Sequence, residues 1–574
     1  MHLRLPLGTS DFAKVRRGGS HYVDKTGLVA ELVRSSAEIV LLPRPRRFGK
    51  TLNLSMLQYW FERPVDPLGP GVLSPEDTRA LFDGLEVAAA GEDIAASCQR
   101  HPTVALTFKS VKFRSWEKCQ AEVLDLIRRE VVRHQPTWSQ APIAALDRSV
   151  LDEIAAGNAE NLHKALGVLT RALHLRTGEE VVLLIDEYDT PIHEGWQHGY
   201  YDQVIELFRG LLSAGIKDNK ALYRGVLTGI LRVGKESMFS GLNNVAVYSL
   251  LSTPFSQHFG FTEAEVTGLC ALAGPPADLN GIQQWYNGYL MGGTLVYNPW
   301  SVLSYLAAPM DGLKPYWVNT ASHDLLRDLL IRGGQRIQFE LAELIAGREI
   351  ERPISEDIQL RDLPGSGGIW SFLLFCGYLK ARNVRQVGGK TFATLSVPNQ
   401  EVFASYIGIF SDWMASALGG SEDVAHLCRA LLTGDAATFG AGLQRLVLQS
   451  LSFFDTGART AEAVYQAFVV GLLVQLNATH VVDTNRESGF GRYDVCVKPR
   501  VDYGGPRSGA VLELKSIDDS CEPPETSDTA LTSAMTQIKD REYAVSLRQS
   551  GADPVWLWAV VFDGKRVRVR VERA

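Results

Sequence analysis

Four short apolar runs, Ile39–Leu42, Thr103–Thr107, Val181–Ile185 and Leu222–Leu227, are separated by helical stretches such as 117–134 and 159–175. This spacing constrains the fold more than any other feature of the chain. Parallel strands need long crossovers, and helices are the usual way to make them, so the pattern predicts a mainly parallel sheet with helices on both faces. With 574 residues, there is room for several structural units. A chain this long can bury its cores without disulfides or structural metals.

The first run leads into Pro43-Arg44-Pro45-Arg46-Arg47-Phe48-Gly49-Lys50-Thr51, the layout of a strand, a tight loop and a helix start. Such a loop presents backbone N–H groups and a helix N-terminus to phosphates, with a lysine for the β/γ-phosphates and a hydroxyl for Mg²⁺. Gly49, Lys50 and Thr51 fit those roles, and Arg46 and Arg47 stand beside them. Arg44 occupies the position of the first glycine in the generic pattern. The third run ends in Asp186 and Glu187, placed to hold Mg²⁺ and to polarise an attacking water. In Val226-Leu227-Thr228-Gly229-Ile230-Leu231-Arg232, Thr228 is a candidate γ-phosphate sensor and Arg232 a candidate for stabilising its charge, although a core strand with a surface arginine reads equally well.

Near the other end, Asp494 is followed after a Gly/Pro turn by Ala510-Val511-Leu512-Glu513-Leu514-Lys515. Alternation along a strand puts Glu513 and Lys515 on one face, expected to be exposed, with Asp494 meeting them from the neighbouring strand. Two carboxylates and a lysine suit phosphodiester cleavage with a divalent ion. Asp494 and Glu513 would ligate Mg²⁺, and Lys515 would orient water or stabilise charge. Upstream, Glu462 is a candidate further carboxylate ligand; downstream, Gln537 lies on a helix that can pack beside the site.

As a set, RPRRFGKT (44–51), YVDKT (22–26), LLIDEYD (183–189), TGILRVGKESMFSGLNN (228–244), FGFTEAEV (259–266), WYNGY (285–289), YNPWSV (297–302), YWVNT (316–320), FCGYL (375–379) and VPNQEV (397–402) resemble the bacterial AAA-ATPase-like proteins that carry a C-terminal PD-(D/E)XK nuclease-superfamily domain. GFGRYDV, VLELKS and a helix with Gln537, Ile538 and Tyr543 resemble the nuclease core of the same family, Glu462 included. The resemblance implies an α/β multidomain protein. Its expected parts are a P-loop NTPase at 1–270, a mostly helical lid or linker at 271–440 and a PD-(D/E)XK fold at 441–574. It also implies ATP and Mg²⁺, or Mn²⁺, as cofactors, with Asp186 and Glu187 as the Walker B pair. In that family an Arg-Pro-Arg-Arg-Phe-Gly loop replaces the glycine-rich start, so Arg44 fits it.

The expected function is an ATP-binding, and by expectation ATP-hydrolysing, protein whose Mg²⁺-dependent nuclease cleaves DNA or RNA under control of nucleotide state. A role in defence or mobile-element biology goes with that domain pairing. The alternatives are a nucleotide-switched nucleic-acid-binding or scaffold protein that does not cut, and an ATPase motor with a DNA-gripping domain. The formal net charge of −7 excludes a polycationic binder, so nucleic acid must meet local basic surface. Seven scattered cysteines without a CxxC pair, no signal-like N-terminus and no apolar window of about 18 residues point to a cytoplasmic protein with no membrane contact. Homo-oligomer formation stays open.

Overall fold

The computed structural model describes residues 3–63, 78–233, 244–317, 334–450 (less 346, 359, 361–362 and 364–367) and 469–574 (less 470, 474, 477–478, 485–486, 489–490, 493, 501–503, 506, 518–525 and 541–543). Glu462 lies outside the described residues, as do positions 234–243, 318–320, 489–490, 493 and 543 of the strings quoted above. The chain divides into two compact units, one of residues 1–319 and 351–401 and the other of 320–350 and 402–574.

The first unit is built on β1 (Ile39–Pro43), β2 (Thr103–Thr107), β3 (Val181–Asp186), β4 (Leu222–Gly229), β5 (Arg232–Val233) and β6 (Val245–Val247). Five of these form an all-parallel sheet of order β2-β3-β4-β1-β6. Every residue of β1 and β3 is buried, as expected of strands covered on both faces. In this register Thr107 lies beside Asp186, and Leu42 and Pro43 lie beside Thr228 and Gly229. The polar residues that close the runs in sequence therefore collect at one end of the sheet, where α/β folds place ligands.

Further along come a hairpin of β7 (Tyr289–Met291) and β8 (Thr294–Val296) and the strands β9 (Ile350–Ile354), β10 (Asp357–Ile358), β11 (Lys380–Val387) and β12 (Lys390–Ser396). Between these strands run helices such as Leu279–Tyr286, Pro299–Ala307 and Gly368–Phe375, so the region holds, beside helices, a three-stranded sheet of order β11-β12-β9 that the sequence reading did not separate from them.

In the second unit β13 (His480–Thr484), β14 (Glu487–Ser488), β15 (Gly491–Arg492), β16 (Val495–Pro499), β17 (Gly509–Ser516), β18 (Val555–Asp563) and β19 (Arg566–Arg573) follow in turn. Five of them form a mixed sheet of order β13-β16-β17-β18-β19, in which β17 and β18 are parallel. A parallel pair needs a crossover, and the helices Ser527–Asp540 and Ala544–Gln549 lie within it. Ala530, Ala534, Met535 and Ile538 of the first helix pack on Cys496, Val511, Ala559 and Val561. On the other face Trp558 is fully buried, its ring 4.8 Å from that of Phe439. No helix among the described residues is long and apolar enough to cross a membrane.

Candidate active sites

In the first unit, the loop after β1 turns through two left-handed residues, Arg47 (φ 64°) and Gly49 (φ 85°), before helix Lys50–Phe61 begins. A Cβ on Gly49 would meet nothing within 4 Å, so glycine serves the backbone conformation there and no close approach demands it. Arg44 is fully buried; its guanidinium donates to the carbonyls of Pro43 (2.8 Å), Tyr248 (2.6 Å) and Phe255 (3.1 Å) and lies over the Phe259 ring. Where a glycine-rich loop relies on small residues, this one is clamped from behind by an arginine.

The Lys50 ammonium donates to the carbonyls of Arg44 (3.0 Å) and Pro45 (2.9 Å). Burial lowers its pKa, opposed by the nearby carboxylates of Glu187, Asp186 and Asp189. Asp186, 2% exposed, accepts from the hydroxyls of Thr51 (2.7 Å), Thr228 (2.7 Å) and Thr107 (3.3 Å). The helix start and two neighbouring strand ends thus converge on one carboxylate. Glu187 has φ 51°, a conformation that costs a non-glycine residue about 1 kcal/mol or more, and its carboxylate accepts from Thr190 Oγ1 (3.2 Å). Glu187 is half-exposed, whereas its neighbour Asp186 is buried.

Arg232 is not drawn into this group. It forms an ion pair with Asp357 (2.9 Å), its neighbour in the parallel β5–β10 pair. Arg47 lies 3.9 Å above the Trp300 ring, and the backbone carbonyl of Arg46 accepts from Trp317 Nε1 (3.1 Å). Glu401 holds that side together: its buried carboxylate accepts from Ser301 Oγ and from the amides of Tyr316 and Trp317 (both 2.6 Å). Burial raises its pKa to about 7, against the hydrogen bonds and the Arg47 charge that lower it.

Sequence reasoning missed Asp189, Thr107 and Glu401. Asp189, 1% exposed, accepts from the amides of Ile230 (2.8 Å) and Leu231 (3.0 Å) and stands 3.5 Å from His193 Nε2. Burial pushes its pKa up, but the His193 interaction and the two amides outweigh it and leave it lowered. A Cβ on Gly229 would fall 2.7 Å from Asp189 Oδ1 and 2.8 Å from the Tyr188 ring, so only glycine allows β4 to pass this carboxylate. A third acid, two places beyond the Asp186-Glu187 pair, was the available signal. Thr107 and Glu401 carry none, because their partners lie 79 and up to 100 residues away.

In the second unit, the β16–β17 register pairs Val495 with Leu512, which sets Asp494 opposite Glu513 on one face. Asp494 Oδ2 accepts from the Leu514 amide (2.8 Å). Lys515 Nζ stands 3.4 Å from Glu513 Oε1, and Gln537 Nε2 donates to the same oxygen. Asp494, Glu513, Lys515 and Gln537 are therefore brought together. The expected exposed face is corrected in one respect: Glu513 is only 2% exposed, beneath helix Ser527–Asp540, while Lys515 remains partly open. Leu512 and Leu514 pack into the opposite layer, so both faces of β17 are core. Among the described residues no three His, Cys, Asp or Glu side chains gather as a metal site. The two described carboxylates are hard oxygen donors that suit a divalent cation, and the third candidate ligand, Glu462, lies outside the described residues.

Two family models match the chain: a predicted AAA-ATPase (AAA-ATPase-like) over residues 6–239 and the PD-(D/E)XK nuclease superfamily over residues 460–572. The chain is also similar to an uncharacterized protein in the vnfD 5′ region of Azotobacter chroococcum mcd 1, at 29% identity over 569 residues, 98% of this chain and 96% of the relative.

Proposed function

For a chain that joins a predicted AAA-ATPase-like domain to a PD-(D/E)XK nuclease superfamily domain, we infer an ATP-binding and ATP-hydrolysing protein whose second unit cleaves phosphodiester bonds of nucleic acid. The observation that carries the cleavage reading is the meeting of Asp494, Glu513, Lys515 and Gln537 on one sheet face. An acid pair, a cation and an amide in a largely buried patch have no packing role that apolar residues would not fill better.

In this reading Asp494 and Glu513, with Glu462, hold a divalent cation, Mg²⁺ or Mn²⁺. When bound, it supplies charge stabilisation at the phosphoryl oxygen and acidifies water. Gln537 fixes the Glu513 carboxylate, and the Leu514 amide fixes that of Asp494. Lys515 reaches the open side, where its ammonium orients the attacking water and neutralises charge on the transferring phosphate.

In the first unit Lys50 leaves its carbonyl partners for the β/γ-phosphates, and the loop amides before it bind the phosphate oxygens. Thr51 and Asp186 hold Mg²⁺, Glu187 orients the attacking water and Thr228 reads the γ-phosphate through Asp186. Nucleotide state governs cleavage. The test is incubation of the purified full chain with DNA and RNA panels, with and without ATP and Mg²⁺ or Mn²⁺. Metal-dependent cutting that changes with ATP is expected. No cutting of any substrate under any condition would leave the non-cleaving, nucleotide-switched binder as the better account.

A further inference from the structure

β19 closes one edge of the second unit's sheet. Its residues alternate, with Arg566, Arg568 and Arg570 exposed and Val567, Val569 and Val571 half-buried. The valine side meets helix Ala436–Ser450: a Cβ on Gly440 would lie 3.0 Å from Val569 Cγ2, and Gln444 Oε1 accepts from the Val567 amide (2.9 Å). Alternation sends the arginines to the other face. There Arg570 Nη1 donates to Thr532 Oγ1 (3.3 Å) of helix Ser527–Asp540, the helix that brings Gln537 to Glu513.

The register makes this placement definite. Glu513 pairs with Ala559, which pairs with Arg570, and Lys515 pairs with Val561, which pairs with Arg568. Arg570 and Arg568 are thus two strands across from Glu513 and Lys515, about 10 Å at the usual strand spacing. Along β19 the three arginines recur every second residue, about 7 Å apart. Acids share the neighbourhood, among them Asp528, one turn before Thr532 on that helix. Asp563 pairs with Arg566 in the register, and Glu572 is engaged by Lys539 (2.5 Å). Among the described residues, Arg566, Arg568 and Arg570 make no ion pair.

An edge strand needs charge only to prevent pairing with another sheet, and either sign would serve. Three guanidinium groups aligned with a carboxylate cluster, on a chain of net charge −7, select an anion with repeating charge. Arginine's planar fork matches phosphate in particular.

We propose that the Arg566–Arg568–Arg570 row binds the phosphodiester backbone of a nucleic acid and leads it to the Asp494–Glu513–Lys515 cluster. What happens at that cluster rests on the function proposed above; binding along the row does not.

The test measures binding of a duplex DNA and a single-stranded RNA oligonucleotide to the full chain in EDTA, by fluorescence anisotropy across salt concentrations. A phosphate contact contributes about 0.9 to the logarithmic salt slope on duplex DNA and about 0.7 on single strands. R566Q/R568Q/R570Q should therefore flatten the duplex slope by about 2.7, so that wild type loses about 40-fold more affinity than the variant between about 50 and 200 mM salt. R566K/R568K/R570K should keep most of the slope. Equal slopes in wild type and the glutamine variant would overturn the proposal, as would loss of binding in both triple variants, since charge would then not be the cause. A wild type that binds neither oligonucleotide overturns it as well. Slope loss on glutamine substitution in a protein that cuts nothing with Mg²⁺ or Mn²⁺ would sustain the binding row and remove the nuclease reading alone.

Discussion

The two candidate sites each gather carboxylates beside a lysine, by different routes. In the first unit each participating residue comes from the end of a different element: Thr107 from β2, Asp186 from β3, Thr228 from β4 and Thr51 from a helix start. Asp186 is held by three hydroxyls that can turn toward a ligand without moving backbone. In the second unit Glu513 lies within β17 and Asp494 stands opposite it, immediately before β16, and they are held by a backbone amide and a helix-borne glutamine. A strand-end site can adjust with its loops. A site set by strand register beneath a helix can shift little. The comparison suggests a responsive first site and a fixed second one.

The largest effect should come from the fixed site. Asp494→Asn keeps an oxygen for the Leu514 amide and Glu513→Gln keeps the shape, but each removes a charge from the pair. Cleavage should fall about 10³-fold or more, given the several kcal/mol that cation charge stabilisation supplies. Thermal unfolding should stay close to wild type. Gel-based cleavage rates unchanged in both variants would place the chemistry elsewhere and end the contrast.

Next is hydrolysis at the responsive site. Glu187→Gln should bind ATP but turn it over about 10²-fold more slowly, the usual size of a lost general base; phosphate release at the wild-type rate would make Glu187 a strained strand end only. Lys50→Ala should weaken ATP by about 10- to 100-fold, the worth of a hydrogen bond to a charged group. Titration calorimetry giving equal affinities would remove the phosphate role.

The smallest effect concerns Glu401, which ties Tyr316 and Trp317 beside Arg46 and Arg47. Its folded pKa of about 7 exceeds the ordinary glutamate value of 4.5, so the folded state holds the proton more tightly than the unfolded chain. Its contribution to stability is therefore full below about pH 4.5 and is lost as pH rises through 7. Glu401→Gln should remove this component, flattening the fall in unfolding temperature between those values. An identical pH profile in wild type and variant would show that Glu401 stays ionised.

Much of this was legible in order along the chain. Continuous apolar runs announced strands buried on both faces, because a parallel sheet leaves no wet side for polar alternation. Gly49, Lys50 and Thr51 are neighbours in sequence, so their grouping needs no folding to be seen. Glu513 and Lys515 share a face by alternation alone. The row at Arg566, Arg568 and Arg570 was equally readable as a pattern, but the pattern says nothing about which face it joins.

Register and packing decided the rest. A one-residue shift of β16 against β17 would send Asp494 away from Glu513, and no local signal specifies that pairing. The crossover helix, which lies between β17 and β18 in the chain, turned an expected open face into a buried one and brought Gln537 to Glu513. Arg44 reads as a charged loop residue, yet the carbonyls of distant Tyr248 and Phe255, with that of its neighbour Pro43, close around it and make it interior. Arg232 reads equally as a phosphate ligand and as a surface arginine, and the parallel β5–β10 pair gives it Asp357. Residue chemistry and spacing determined what these groups could do; their partners came from elements far apart in the chain, and only the tertiary fold brings such elements within hydrogen-bond reach.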